Sequence, residues 1–128
     1  MKVLLDTHTF LWLESEPAQL SSTARQILAN AQNVVLLSYV SLWEIQIKTA
    51  LGKLQAELPF LERVALAQTK AHLTLLPITI DHLAALGSLP IHHRDPFDRL
   101  LIAQAIVENI PLISKDERVG AYPITVIW

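Results

Sequence analysis

A chain of 128 residues is close to the commonest domain size, so one hydrophobic core is expected and any further domain would have to be very small. With 52% hydrophobic and only 17% charged residues, it can fill that core and still leave apolar surface for a partner. The lack of cysteine removes disulfides, thiolate metal sites and cysteine nucleophiles and fits a cytoplasmic protein, while a net charge of −2 gives no global pull toward nucleic acid, so any polyanion would have to be held by a local basic patch.

The N-terminus starts like a secretory leader, with Lys2 before an apolar run, but Asp6 and His8 interrupt it and "KVLLD" (2–6) reads as the first strand. "SSTARQILANAQ" from Ser21 reads as a helix capped by Ser21 or Ser22, and "VVLLS" (34–38) as a second strand. The uncharged stretch from Gln26 to Trp43 is about long enough to span a bilayer, yet Gln26, Asn30, Gln32, Asn33, Ser38 and Ser41 make it too polar; no membrane segment is expected. "SLWEIQIKTALGKL" from Ser41 reads as a helix that Gly52 ends or weakens, followed by a helix from Pro59, a strand "LTLLP" (73–77) and a helix from Thr79. The last elements are a helix opening at Pro96, "PFDRLLIAQAIVEN", and strands "PLIS" (111–114) and "ITVIW" (124–128). Short apolar strands alternating with longer helical periods predict one α/β domain over residues 1–128, wound as βα units around a mainly parallel sheet.

Ligands of open parallel sheets bind beyond the carboxyl ends of the strands, where helices begin. Acids gather at those junctions: Asp6 after the first strand, Glu44 just inside the helix after the second, Asp95 and Asp98 at the mouth of the Pro96 helix, and Asp116 after "PLIS". Singly, each has a structural explanation, because carboxylates at helix N-termini satisfy free N–H groups. Asp95 before Pro96 suits an N-cap, and Ser41-Leu42-Trp43-Glu44 matches a capping box in which Glu44 also reaches Lys48. Together, four or five converging acids would repel one another unless a cation sat among them. An all-oxygen set without thiolates suits Mg²⁺ or Mn²⁺, and with it phosphoryl transfer or hydrolysis.

"LLDTHTFLW" (4–12), "SLWEIQIKTALGKL" (41–54), "HRDPFDRLLIAQA" (93–105) and "LISKDERVGAYPITVIW" (112–128) resemble the ordered blocks of a PIN-domain protein, specifically a VapC-type toxin of a type II toxin–antitoxin pair. The resemblance runs over nearly the whole chain. It implies a PIN-like three-layer α/β/α fold and an acidic quartet of Asp6, Glu44, Asp98 and Asp116 that binds Mg²⁺ or Mn²⁺, with Asp95 as a neighbouring acid. It further implies an endoribonuclease acting on RNA, silenced by a cognate antitoxin and commonly a homodimer. Thr7 and Ser114 are then candidates to support the metal shell. Arg94 and Arg99 either pair with the nearby acids, the favoured role, or hold RNA phosphates.

Of the five histidines, His92 and His93 are adjacent, so in an extended loop they point apart; no zinc spacing appears, and His93 is expected in a loop or hydrogen-bonding role rather than in direct catalysis. His8, His72 and His82 read as surface or satisfied residues. Trp12 and Trp43 read first as core packing and second as a dimer or antitoxin interface. Lys48, Lys53, Arg94, Arg99, Lys115 and Arg118 are the cations nearest the motifs, and form either a patch for RNA or a solvated face. Two rivals stand beside the nuclease. A metal-dependent phosphatase of the haloacid-dehalogenase type would need an acid where His8 stands, and a phospho-receiver would need an acidic pair upstream of Asp6, where Lys2 is the only charge. The other is a catalytically silent PIN fold used for binding, which the complete quartet disfavours.

Overall fold

The computed structural model describes residues 1–128. The first strand, β1, covers Lys2–Leu5, one residue less than expected, because the Asp6 side chain turns out of the strand to accept the Thr9 N–H at 2.8 Å. That cap starts α1 (Thr7–Ser15), which follows the strand with no glycine or proline between to mark its start. A short 3₁₀ turn at Pro17–Gln19 leads to α2 (Ser22–Ala29), capped by Ser21 through the Ala24 N–H. Strand β2 (Val34–Ser38) passes without a loop into α3 (Tyr39–Ala50). The cap here is Ser38, which accepts from the Val40 N–H, so the capping box expected at Ser41 does not form and Ser41 lies buried inside the helix. Gly52, at φ +74°, follows the end of α3 as expected of a helix-terminating glycine.

Next come α4 (Phe60–Thr69), with Pro59 one residue before it, β3 (Thr74–Leu76), and α5 (Ile80–Gly87), capped by Thr79. Then α6 (Pro96–Glu108), β4 (Leu112–Ile113), a 3₁₀ turn at Glu117–Ala121 and β5 (Val126–Ile127) complete the chain. No helix is long and apolar enough to cross a membrane.

The sheet is wholly parallel, in the order β3-β2-β1-β4-β5. The chain lays β2 and β3 to one side of β1, crosses over through α5 and α6, and lays β4 and β5 on the other side. The switch point therefore lies between β1 and β4, paired as Leu4 with Leu112 and Leu5 with Ile113.

Because successive strand residues face opposite sides, the sheet has two cores. Val3, Leu5, Val35, Leu37 and Ile113 pack with Phe10, Ala24, Ile45 and Ala67 from α1 to α4. Leu4, Leu36 and Leu112 pack with Leu100, Leu101, Ile102, Ala103 and Ala105 of α6, flanked by Ala85 and Leu86 of α5. This is the expected three-layer α/β/α arrangement.

Residues Leu100 to Ala105 are buried without a break, which explains the uncharged run after Arg99. Its one polar member, Gln104, accepts from the Ser38 hydroxyl and donates to the Pro77 carbonyl, so no buried amide is left unpaired. Leu101 is fully buried beneath the sheet. Leu101→Ala should cost about 2–5 kcal/mol in urea unfolding; a loss well under about 1 kcal/mol would show that α6 is not the anchor of this layer.

Candidate active site

The site is built where β1 and β4 end. Asp6, one residue past β1, is buried, and burial pushes its carboxyl above the ordinary range although hydrogen bonds from Ser114 and Thr9 pull the other way. Ser114 is the first residue past β4; it is buried beside Asp6, and its oxygen accepts the Asp116 N–H at 3.1 Å. Asp116 caps the following 3₁₀ turn. Its Oδ1 accepts from Arg118 Nε at 3.0 Å and its Oδ2 from Arg118 Nη2 at 2.9 Å. Hydrogen bonds from Arg118, helped by one from His93, hold the Asp116 carboxyl well below the usual range.

Helix α3 carries Glu44 into the same region. Its Oε1 accepts the Thr7 hydroxyl at 2.7 Å, and its Oε2 pairs with Lys48 one turn on, as the sequence spacing predicts. Thr7 also lies 2.9 Å from Ser41 Oγ, so its buried hydroxyl is engaged with Glu44 and Ser41 rather than with solvent. The fourth acid arrives on α6. Asp95 is the expected N-cap, accepting the N–H groups of Phe97 at 2.9 Å and Asp98 at 3.1 Å, and Pro96 opens the helix so that Asp98 stands in its first turn. Asp98 is raised to about 7 by burial first and then by Asp95, with His93 opposing and Glu44 and Asp6 adding further negative field.

His93 ties these acids together. It is 2% exposed, and its Nε2 lies 3.1 Å from Asp98 Oδ2 and 3.0 Å from Asp116 Oδ2. The ligand atoms of His93, Asp98 and Asp116 all fall within 4.8 Å of one another, a grouping that could hold a metal ion. Asp6 and Glu44 stand outside that trio but act on Asp98 through their charge. The sequence reading gave His93 a hydrogen-bonding role but carried no signal that its ring joins residues 98 and 116.

The arginines differ from expectation. Arg99 donates to the carbonyls of Pro90 at 2.9 Å and Leu89 at 3.4 Å and to the Tyr122 hydroxyl, bracing the loop before α6, while Arg94 is exposed and forms no ion pair. Neither pairs with an acid. Lys48 and Arg118 are already committed to carboxylates, and Lys115 lies over the Trp12 ring at 5.9 Å. Of the six cations nearest the motifs, Lys53 and Arg94 remain exposed with neither an acidic nor an aromatic partner.

Trp43 is 53% exposed, edge-to-face with Phe97 at 5.0 Å, so core packing is not its role. Trp12 is half-buried between His8 and Trp128. A groove of about 860 Å³ runs between α1 and α4, lined by Phe10, Leu13, Leu58 and Leu66 with Glu14 and Arg63, and by none of the four acids.

The family model of the PIN domain matches residues 3–124. The chain belongs to the PIN domain family. Ribonuclease VapC22 of Mycobacterium tuberculosis is 32% identical to it over 129 residues, covering 97% of each chain. VapBC2 of Rickettsia felis, solved bound to a DNA fragment from its promoter, shares the fold with a TM-score of 0.74 at 16% identity, over 99% of this chain and 98% of that one. VapC20 of M. tuberculosis, a sarcin-ricin loop cleaving toxin, gives 0.66 at 17% identity over 96% of both chains. The structural likeness at such identities shows the PIN fold alone.

In this PIN domain the two strands flanking the switch point deliver Asp6 and Asp116, and the helices beside them deliver Glu44 and Asp98. The electrostatics make a pH prediction. Asp98 binds its proton more tightly folded than unfolded, so it favours the fold while protonated, and that contribution is lost as pH rises from an ordinary carboxylate's 3.8 through about 7. In EDTA, urea unfolding of the wild type should therefore weaken relative to Asp98→Asn across that window. Curves that stay parallel would show that Asp98 is not electrostatically strained.

Proposed function

We propose that this chain is the endoribonuclease toxin of a type II toxin–antitoxin pair, a single PIN domain over residues 1–128 that hydrolyses RNA phosphodiester bonds using Mg²⁺ or Mn²⁺ held by Asp6, Glu44, Asp98 and Asp116. The observation that carries this reading is the meeting of four acids at one edge of the sheet, where Asp98 is raised to about 7 by burial and by the charges of Asp95, Glu44 and Asp6. Such crowding is relieved by a divalent cation, and a carboxylate set without thiols fits a hard one. When bound, the cation supplies an acidified water and offsets charge on phosphodiester oxygens.

The chain's own residues prepare the site. Thr7 and Lys48 fix the two oxygens of Glu44, Ser114 braces Asp6 and the Asp116 backbone, and Asp95 fixes the start of α6 beneath Asp98. Among the cations near the motifs, exposed Arg94 and Lys53 are engaged by neither an acid nor a ring and are free to meet RNA phosphates. The 32% identity to a ribonuclease supports RNA as the substrate class. The toxin–antitoxin complexes among the structural neighbours, including one from Klebsiella pneumoniae at TM-score 0.64 and 19% identity, support an antitoxin as partner.

The antitoxin's apolar contacts suit the groove along α1, and an arginine from it would compete with the cation for the four acids. Exposed Trp43, Ile80 and Ile91 offer area for a homodimer. A cytoplasmic location fits the cysteine-free sequence.

Purified chain incubated with total RNA should cut it in Mg²⁺ or Mn²⁺, stop in EDTA, and leave 5′-phosphate and 3′-hydroxyl ends. Asp6→Asn and Asp98→Asn should lose roughly 10²-fold or more of that activity with unchanged circular dichroism, while Asp95→Asn, which keeps a good cap, should lose far less. Cleavage that survives EDTA and leaves 2′,3′-cyclic phosphate contradicts the reading.

A further inference from the structure

His93 stands between two acids of the quartet, and its ring admits two readings. It is a nitrogen ligand that turns the site into a mixed one, or it is a donor that holds two carboxylates in place. The hydrogen bonds decide between them. Nδ1 lies 3.1 Å from the Asp95 backbone N–H. A backbone N–H only donates, so Nδ1 accepts and the ring proton sits on Nε2. That proton is donated to Asp116 Oδ2 at 3.0 Å, and Asp98 Oδ2 lies 3.1 Å from the same nitrogen, an electrostatic contact and not a second hydrogen bond.

Ligation through Nε2 requires the proton to leave, either giving an imidazolate or moving to Nδ1, where it would face the Asp95 N–H donor to donor. The Asp95 N–H cannot easily turn away. Asp95 is the cap of α6, and its side chain is held by the Phe97 and Asp98 N–H groups. The loop carrying the ring is also tied down. The backbone N–H groups of His92 and His93 both donate to the Tyr122 hydroxyl, at 3.0 and 2.9 Å, and that hydroxyl donates to the Pro90 carbonyl at 2.8 Å.

We propose that His93 is a positioning residue, a neutral Nε2–H clamp that fixes Asp116 by a hydrogen bond, keeps it beside Asp98 and stays outside the metal's ligand set. The inference rests on the reading of these acids as the metal site. The positive end of that N–H bond, given to Asp116 and adjacent to Asp98 Oδ2, offsets part of the repulsion between the two carboxylates, so they converge before a cation arrives. It also keeps the ligand set all oxygen, which favours Mg²⁺ and Mn²⁺ over the softer ions that imidazole would recruit. The histidine thereby acts as an outer partner that orients carboxylate ligands.

The direct test is a long-range ¹H–¹⁵N histidine spectrum of the full chain, first in EDTA and then saturated with Mg²⁺. The clamp predicts an unprotonated Nδ1 and a protonated Nε2 in both spectra. A proton on Nδ1 in EDTA, or loss of the Nε2 proton in Mg²⁺, overturns it. In calorimetric titration with Mn²⁺, His93→Ala should bind roughly 10–100-fold more weakly, and His93→Asn, whose amide both accepts and donates, should recover part of that loss. Binding by His93→Ala as tight as the wild type overturns the clamp. If His93→Ala fails to fold, the wild-type spectra and the Asn variant still decide. A wild type with the predicted EDTA spectrum that binds no Mg²⁺ or Mn²⁺ overturns the metal-site reading instead, so the two failures are distinguishable.

Discussion

Carboxylates packed into a poorly solvated cleft repel one another, and the rest of this structure is arranged around bearing that repulsion. Two of the four acids are offset within the chain, Glu44 by Lys48 and Asp116 by Arg118. The other two have no such partner. Burial raises Asp6, and burial with the field of its neighbours raises Asp98 to about 7. Acids on one edge are thus pushed apart in proton affinity, Asp116 downward and Asp98 upward, although the same imidazole touches both. Under the proposed function, that imbalance is what a metal ion or a partner's guanidinium would relieve.

Only a rigid frame can hold like charges at that spacing, and the parallel sheet supplies it. Asp6 and Ser114 are distant in sequence yet adjacent in space because β1 and β4 are neighbours at the switch point. Helix α6 contributes in a different way. Its buried run from Leu100 to Ala105 fixes the axis, Pro96 and Asp95 fix the start, and Asp98 is carried to the cleft as a consequence. The "HRDPFDR" stretch, dense in charge and followed by an apolar run, is therefore the charged tip of the most deeply buried helix in the molecule.

Much of this could be read from the chain. The five strands, the helices opening at Ser21, Thr79 and Pro96, and the Asp95 cap all follow from local patterns that tertiary contacts then reinforce. The misreadings have local causes. At Asp6 and at Ser38 a strand turns into a helix with no glycine or proline between, so α1 had no visible start and the α3 cap was placed three residues late. Arg94 and Arg99 flank the acids in sequence, but Arg94 lies in the loop before α6 with its side chain exposed, and Arg99, adjacent to Asp98 on the helix and so turned away from it, reaches back to the loop carbonyls. Trp43 looked like core because indoles usually are, yet the neighbouring turn commits Ser41, Glu44 and Ile45 to the interior and leaves Trp43 at the rim. The His93 bridge depends on Asp116, 23 residues away, and no local signal encodes it.

If crowding at Asp98 is what draws a cation, binding must expel a proton. Calorimetric titration of Mg²⁺ into the EDTA-stripped chain, repeated in buffers of different ionisation enthalpy, measures that directly. At a pH just below the Asp98 value of about 7, saturable binding with net proton release is predicted, with the release fading well above that pH and absent in Asp98→Asn. No saturable binding, or binding that releases no proton at either pH, would contradict the account.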